Sequence, residues 1–370
     1  MVVASDEVVA SDEVLAEVRG QVGCITLNRP RALNAISLGM IRAITARLLA
    51  WRENPRIQAV AIRGMGKTGP FGVFCAGGDI RFFHQAVGIG NPELEDFFTE
   101  EYALNHLIHN YPKPTIAFMD GVVMGGGMGL SQGARVRVVT EQTQMAMPET
   151  HIGLFPDVGG GYFLSRCPGR VGEWLALSGA QIGADDAVQF GLADVRMAAS
   201  DLPQAWDALG ELTFGDGDTL DKWVATHSIA GHAYPTRATG QIDHYFSLNS
   251  VPEMILALEA DPCEWAQQTA VLLRKASPLM LHVTLEQIGR SRTMNLADDL
   301  RMERDMVRRC FTLRPGPASE TMEGIRALAV DKDRNPRWNP ARIEDVTPEM
   351  VSPFFQSPWP AHAHPLRHLA

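Results

Sequence analysis

Two glycine clusters constrain this chain more than any other feature. They are Phe74-Cys75-Ala76-Gly77-Gly78-Asp79-Ile80 and Gly121-Val122-Val123-Met124-Gly125-Gly126-Gly127-Met128-Gly129. Each follows an apolar run and leads into a helical stretch, so each sets side-chain-free amides at a helix start. Amides there have no intrahelical partner and lie at the positive end of the helix dipole. Taken singly, each cluster is a tight turn, with Asp79 an ordinary helix cap. If the two turns face each other, their amides form a hole for an oxyanion.

The runs around them alternate in type. Val22 to Leu27, Ile57 to Ile62, Thr115 to Met119 and Val136 to Val139 read as short strands, the first followed by a turn at Asn28-Arg29-Pro30. Ile41, Ile44, Leu48 and Leu49 recur at helical spacing between the first two. Strands regularly followed by helices indicate an α/β core with helices packed on sheets. Residues 170 to 193 read as helical. The stretch 201 to 218 is acidic, glycine-bearing and turn-rich, and the domain boundary is placed there. Beyond it, Ile255, Leu256 and Leu258, then Val271, Leu272 and Leu273, then Leu281, Leu285 and Ile288 mark amphipathic helices, read as core packing without chemistry. With 370 residues at roughly 150 per domain, the expected division is a disordered leader over 1–14, an α/β core over 15–200 and a helical region over 201–370.

Composition narrows the function classes. Hydrophobic residues make up 45% and charged residues 21%, which excludes collagen, coiled coil and a disordered chain. Thirty-three Lys and Arg against 43 Asp and Glu give a net charge of −10, the wrong sign for neutralising a phosphate backbone, so no nucleic-acid partner is expected. No apolar run approaches the roughly 18 residues of a membrane span, so no membrane partner is expected either. Cys24, Cys75, Cys167, Cys263 and Cys310 are scattered and odd in number, which argues against a disulfide framework or a zinc ribbon and fits a reducing cytoplasm. The N-terminus repeats Val-Ala-Ser-Asp-Glu-Val at 3–8 and 9–14; its four acids and absence of bases match neither a secretory signal nor a mitochondrial transit peptide.

Two motifs have bland readings. Ala61 to Thr68 comes within one residue of a phosphate-cradling loop, but Ala61 stands where Gly is required and no helix follows to supply free amides. His362, His364 and His368 read as a solvated terminus rather than a metal site.

The remaining segment runs Met147-Pro148-Glu149-Thr150-His151-Ile152-Gly153-Leu154-Phe155-Pro156-Asp157-Val158-Gly159-Gly160-Gly161. With Gly153 and Pro156 between them, Glu149 and Asp157 cannot share a continuous helix; a bent loop can bring both to one pocket, as a paired acid and base or a nucleophile and its helper requires. The plain alternatives are a surface Glu149 and an Asp157 that only caps the helix beginning at Gly159.

In this order and spacing, the three segments resemble the crotonase (enoyl-CoA hydratase/isomerase) superfamily, from the Leu27-Asn28-Arg29-Pro30-Arg31-Ala32-Leu33-Asn34-Ala35 turn to about residue 357. The resemblance implies an α/β spiral of repeated β-β-α turns with a mainly helical C-terminal region. It also implies an acyl-CoA thioester whose carbonyl lies between the amides of Gly78 and Gly126, and CoA contacts from Ala32, Leu33 and Ala35. A hydratase of the family would carry one glutamate at position 129 and another at 149. Here position 129 is Gly129, which disfavours hydration, and Asp157 stands where hydratases usually have glycine.

Together with Glu101 in Glu100-Glu101-Tyr102-Ala103-Leu104-Asn105 and the motifs Glu323 to Ala327, Asp331 to Asp333 and Pro336 to Trp338, this resembles the thioester-hydrolysing branch of the family. The implied substrate is a small 3-hydroxyacyl-CoA, 3-hydroxyisobutyryl-CoA of valine catabolism first. In that reading Glu149 attacks the carbonyl or deprotonates water, Asp157 holds water or the substrate hydroxyl, and Glu101 binds that same hydroxyl. Thr321-Met322, where the family usually has an aromatic, and the Pro-Gly-Pro insertion at 315–317 depart from the pattern. Two rival readings are a hydratase or double-bond isomerase, and a catalytically silent protein that binds CoA esters. No metal, nicotinamide or flavin cofactor is expected, the expected partner is the acyl-CoA itself, and a homo-oligomer is compatible with the sequence.

Overall fold

A computed structural model describes residues 12–215, 218–228 and 239–370. Most of the tandem repeat, and the end of the turn-rich stretch at 216–217, lie outside the described residues. Glu13, expected in the leader, is anchored: it pairs with Arg29 at 2.9 Å, accepts from the Ser37 hydroxyl at 2.6 Å, and leads directly into a strand at Val14.

In chain order the elements begin β1 (Val14–Arg19), β2 (Val22–Leu27), α1 (Leu38–Glu53), β3 (Ala59–Gly64), β4 (Val73–Cys75), α2 (Ile80–Ile89) and α3 (Glu93–His109). They continue as β5 (Thr115–Met119), β6 (Val122–Met124), α4 (Gly126–Gln132), β7 (Val136–Val139), β8 (Gln144–Ala146), α5 (Gly160–Leu164), α6 (Val171–Ser178), α7 (Ala184–Gln189) and β9 (Val195–Arg196). The rest is helical: α8 (Leu202–Ala208), α9 (Thr219–His227), α10 (Thr239–Phe246), α11 (Val251–Ala260), α12 (Glu264–Lys275), α13 (Pro278–Ser291), α14 (Leu296–Thr312) and α15 (Glu320–Ile325).

Three successive strand-strand-helix turns are visible in that order: β3-β4-α2, β5-β6-α4 and β7-β8-α5. The first strand of each joins a six-stranded sheet ordered β1-β2-β3-β5-β7-β9, and the second joins a three-stranded sheet ordered β4-β6-β8. Only β1 and β2 pair antiparallel in the large sheet; the later pairs are parallel, as crossover helices require. This is the repeated β-β-α architecture that the sequence pattern implies.

The described chain forms two compact units whose segments interleave. Of the described residues, one comprises 12–78, 107–144, 183–215 and 218–228; the other comprises 79–106, 145–182 and 239–370. In the first, Val22, Cys24, Ala59, Ala61, Ile116, Phe118, Val136 and Val138 share one sheet face, because alternate strand residues point the same way. Trp206 and Leu209 of the α8 segment and Trp223 of α9 bury that face. The stretch read as a turn-rich boundary therefore contains a core helix. Leu202, Ala205, Trp206 and Leu209 do keep helical spacing, with Pro203 in the first turn where proline is tolerated. The helix expected over 170–193 is two helices, ended by Gly179 in a left-handed conformation and restarted after Gly183.

The second unit has an aromatic centre. Phe83 packs on Phe97 and Phe98 with ring centroids 4.8 and 4.9 Å apart, and Phe98 also meets Phe311 and Tyr102. Arg304 of α14, almost fully buried, holds α3 through Thr99 Oγ1 at 3.0 Å and Glu95 at 2.5 Å.

Candidate active site

In the first unit, the turn after β2 is tied to the first glycine cluster. Asn34 is fully buried with φ of 55°, a left-handed conformation that asparagine tolerates because its short side chain bonds locally. Its Oδ1 accepts from the Arg29 amide, and its Nδ2 faces the carbonyls of Met65, Val73 and Phe74 at 3.0–3.1 Å. The Ala76 amide donates to Leu33 O and the Ile36 amide to Gly77 O. Ala32 and Leu33 are exposed and Ala35 is half-buried, so the three residues assigned to CoA contact are accessible.

The two glycine clusters lie against each other within this unit. A Cβ on Gly77 would sit 3.4 Å from Met124 O and 3.7 Å from the Gly126 nitrogen, and one on Gly127 would collide with Cys75 O at 2.5 Å. Gly126 opens α4, so its amide has no intrahelical acceptor. Among the described residues neither the Gly78 nor the Gly126 amide donates to a backbone or side-chain acceptor. Asp79 does cap α2, accepting from the Phe82 amide at 3.4 Å.

The second unit gathers the carboxylates. Glu101, Tyr102 and Asn105 lie on the buried face of α3, at 2%, 0% and 4% exposure. Glu149 opens a short 3-10 turn ending at Gly153, where a Cβ would strike Glu320 O at 2.1 Å; glycine alone lets the loop bend there. Asp157 follows Pro156, ahead of left-handed Val158 and Gly159. Glu149 and Asp157 are each 6% exposed, which removes the surface reading of Glu149. Asp157 is not the side-chain cap of α5 either: its Oδ2 accepts from the Tyr102 hydroxyl at 2.7 Å.

The three carboxyls share one electrostatic environment. Burial pushes Glu101 well above the usual carboxylate range, and the charges of Asp157 and Glu149 add to the shift. Burial likewise raises Glu149, with Asp157 adding. Burial raises Asp157 to about 6, against the opposing hydrogen bond from Tyr102. Glu149 Oε2, Glu101 Oε1 and both carboxamide atoms of Asn105 have no hydrogen-bond partner.

Sequence reasoning missed the support of the Asp157 loop. Glu303 of α14 accepts from the Gly159 and Gly161 amides at 2.7 and 2.9 Å, and Asp299 accepts from the Tyr162 amide and the Ser291 hydroxyl. Gln287 Nε2 donates to Pro156 O at 2.7 Å and to Glu303. The signal was present: Asp299 and Glu303, one turn apart, interrupt the stripe of Leu300, Met306, Val307 and Cys310 that α14 buries.

The other motifs carry no site. No helix follows Ala61 to Thr68; Met65 instead bridges Pro70. Of the C-terminal histidines, His362 and His368 are exposed, but His364 is buried, 3.3 Å from Asp305 and against Trp359. The solvated reading therefore fails for His364, whose ring packs into the helical unit.

The chain belongs to the enoyl-CoA hydratase/isomerase family, whose sequence profile matches residues 22–355. Among its relatives is the Xenopus tropicalis protein named 3-hydroxyisobutyryl-CoA hydrolase, mitochondrial, 38% identical over 360 residues, 95% of this chain and 91% of that protein. Another is 3-hydroxyisobutyryl-CoA hydrolase 1 of Arabidopsis thaliana, 36% identical over 358 residues, 95% of this chain and 93% of that one. Similar solved structures include a carnitinyl-CoA dehydratase from Mycobacterium thermoresistibile, with TM-score 0.83, 37% identity and coverage of 94% and 97% of the two chains. An enoyl-CoA hydratase from Rhodobacter sphaeroides 2.4.1 gives TM-score 0.82, 36% identity and coverage of 94% and 98%. The α/β fold implied by the sequence is thus the fold of the family.

Proposed function

We propose that this protein hydrolyses the thioester of a small 3-hydroxyacyl-CoA, 3-hydroxyisobutyryl-CoA first, releasing CoA and the free 3-hydroxy acid. The observation that carries the reading is the buried trio Glu101, Glu149 and Asp157, in which Glu149 keeps an unpartnered oxygen and Tyr102 fixes Asp157. Curated relatives named for this hydrolysis support it. The two similar structures, a carnitinyl-CoA dehydratase and an enoyl-CoA hydratase, favour hydration or dehydration. Against that stands Gly129, buried in α4 without the carboxylate a hydratase needs there.

A thioester demands little of its leaving group, since a thiol near pKa ~8.5 departs without strong acid help. The remaining needs are a stabilised oxyanion and an attacker. The Gly78 and Gly126 amides take the developing oxyanion, each contributing about 3–4 kcal/mol. Glu149 attacks the carbonyl carbon, the carbon–sulfur bond breaks, and CoA leaves as thiolate, giving a mixed anhydride. Water steered by Asp157 opens the anhydride and restores Glu149. Burial beside Asp157 keeps Glu149 poorly solvated and more basic than a surface carboxylate. Glu101 holds the 3-hydroxyl, and Ala32, Leu33 and Ala35 meet the CoA moiety. Five free thiols suit a reducing cytoplasmic compartment.

A single turnover with excess enzyme in oxygen-18 water tests the route. Label on Glu149 and unlabelled first-turnover product is the expected result. Fully labelled product with none on Glu149 makes Glu149 a general base or places anhydride opening at the substrate carbonyl. Failure to trap an anhydride with hydroxylamine then excludes the latter as an accumulating species, and no release of CoA at all contradicts hydrolysis itself.

A further inference from the structure

Asn105 is the one described residue that leaves two buried side-chain polar atoms, Oδ1 and Nδ2, without a partner. It is 4% exposed, on a helix whose neighbouring buried positions are Phe97, Phe98, Leu104 and Ile108. A leucine at that position would bury the same kind of surface without the desolvation cost of an unpaired carboxamide. Several other buried polar side chains of this unit are paired, the Thr321 hydroxyl with Gly153 O, the Ser277 hydroxyl with Glu320 and the Tyr102 hydroxyl with Asp157, while the Thr284 hydroxyl, like the Asn105 carboxamide, is not. An unpaired amide kept among apolar neighbours points to a partner that arrives from outside the chain.

Its place in the helix says what that partner is. Asn105 lies four residues after Glu101, so the two side chains are neighbours on one helix face, about 5–6 Å apart at Cβ. Glu101 Oε1 is also unpartnered and buried, and its carboxyl feels the charges of Asp157 and Glu149. A carboxylate offers acceptors only, whereas a carboxamide offers both donor and acceptor. A hydroxyl, which must give one hydrogen bond and can receive another, is matched by the pair, with the carboxamide supplying the donor that a carboxylate lacks.

We propose that Asn105 is a specificity-determining residue for the acyl group, receiving the substrate's 3-hydroxyl jointly with Glu101. Asn105 Nδ2 donates to the hydroxyl oxygen, and the hydroxyl hydrogen goes to Glu101. This rests on the thioester-hydrolase reading above and adds a recognition element to it. A site built to bond a hydroxyl rejects the analogue that lacks it, because its buried polar groups are then left unpaired.

The test compares 3-hydroxyisobutyryl-CoA with isobutyryl-CoA in the wild type, Asn105→Leu and Asn105→Ala, following CoA release. Asn105→Leu is expected to lose about tenfold or more in kcat/KM on the hydroxylated thioester and almost nothing on the other, collapsing the selectivity. Its Tm is expected to equal or exceed the wild-type value, since an unpaired amide is replaced by an apolar side chain of similar shape. Equal losses on both thioesters, or an unchanged ratio, overturn the proposal, as does a lowered Tm in both variants. Binding of the matching non-hydrolysable thioethers separates this from failure of the hydrolase reading. If the wild type releases no CoA, hydrolysis fails; Asn105 still stands or falls on whether the hydroxylated thioether's binding advantage disappears in the variants.

Discussion

The Tyr102 hydroxyl donates a 2.7 Å hydrogen bond to Asp157 Oδ2, tying the buried face of α3 to the loop between Pro156 and Gly159. The bond stabilises the ionised carboxylate and so works against the burial that raises Asp157 to about 6. Removing it with Tyr102→Phe leaves only a backbone hydrogen bond to oppose burial, so the pKa rises further. If turnover needs ionised Asp157, the acid limb of the kcat/KM profile moves to higher pH in the variant, with about a tenfold loss near neutrality. An acid limb at the wild-type position separates Asp157 from that limb.

Glu101 makes a complementary prediction about stability. Its folded pKa lies well above the unfolded value of about 4.3, so the folded state holds the proton more tightly, and stability falls as pH rises through that interval. Glu101→Gln removes the titration and keeps the shape. Its Tm should pull ahead of the wild type as pH is raised from 5 to 8, with the gap closing toward acid, while turnover of hydroxylated substrate falls. A gap independent of pH contradicts the assignment.

The sequence shows the parallel strands plainly because each is a short apolar run with a turn after it: the expected limits of Val22 to Leu27, Thr115 to Met119 and Val136 to Val139 are those observed. The glycine clusters are legible for a related reason, since Gly127 marks a place where a side chain has no room and Gly77 one where the backbone takes a φ of 105°. The helix α8 was hidden by Pro203 and the glycines around it, although its apolar spacing was intact. The clamp of Asp299 and Glu303 was not found because it links residues about 140 positions apart, through hydrogen bonds to backbone amides that any sequence would carry. Asn105 was visible only as part of a motif; its unpaired state is a property of packing.

Glu303 holds two amides of the Asp157 loop at once. Glu303→Ala leaves the Gly159 and Gly161 amides buried without acceptors, which should cost about 2–6 kcal/mol at ~1–3 kcal/mol per unsatisfied group. Urea unfolding reads the loss directly. A change below about 1 kcal/mol would mean that the amides find other partners.

Gly127 and Gly88 form a matched pair of alanine substitutions. A Cβ at Gly127 falls 2.5 Å from the Cys75 carbonyl, so Gly127→Ala must displace α4 and with it the Gly126 amide. A fall in kcat of about tenfold or more is expected, approaching the cost of one oxyanion donor. Gly88, inside α2, has nothing within 4 Å of its Cβ position. Gly88→Ala should leave kcat unchanged and stabilise by up to about 1 kcal/mol through helix propensity. Steady-state kinetics with a melting curve on both variants checks the contrast.

The central claim is that Glu149 and Asp157 serve thioester cleavage rather than addition of water to a double bond. It is tested by giving one preparation 3-hydroxyisobutyryl-CoA with a thiol reagent and, separately, a crotonyl thioester followed by its ultraviolet absorbance. Release of free CoA with kcat/KM at least about a hundredfold above crotonyl hydration is the expected result, since the carboxylate absent at Gly129 is worth at least the 10²-fold scale of one general acid or base. Comparable rates on the two substrates, or hydration without CoA release, would contradict it.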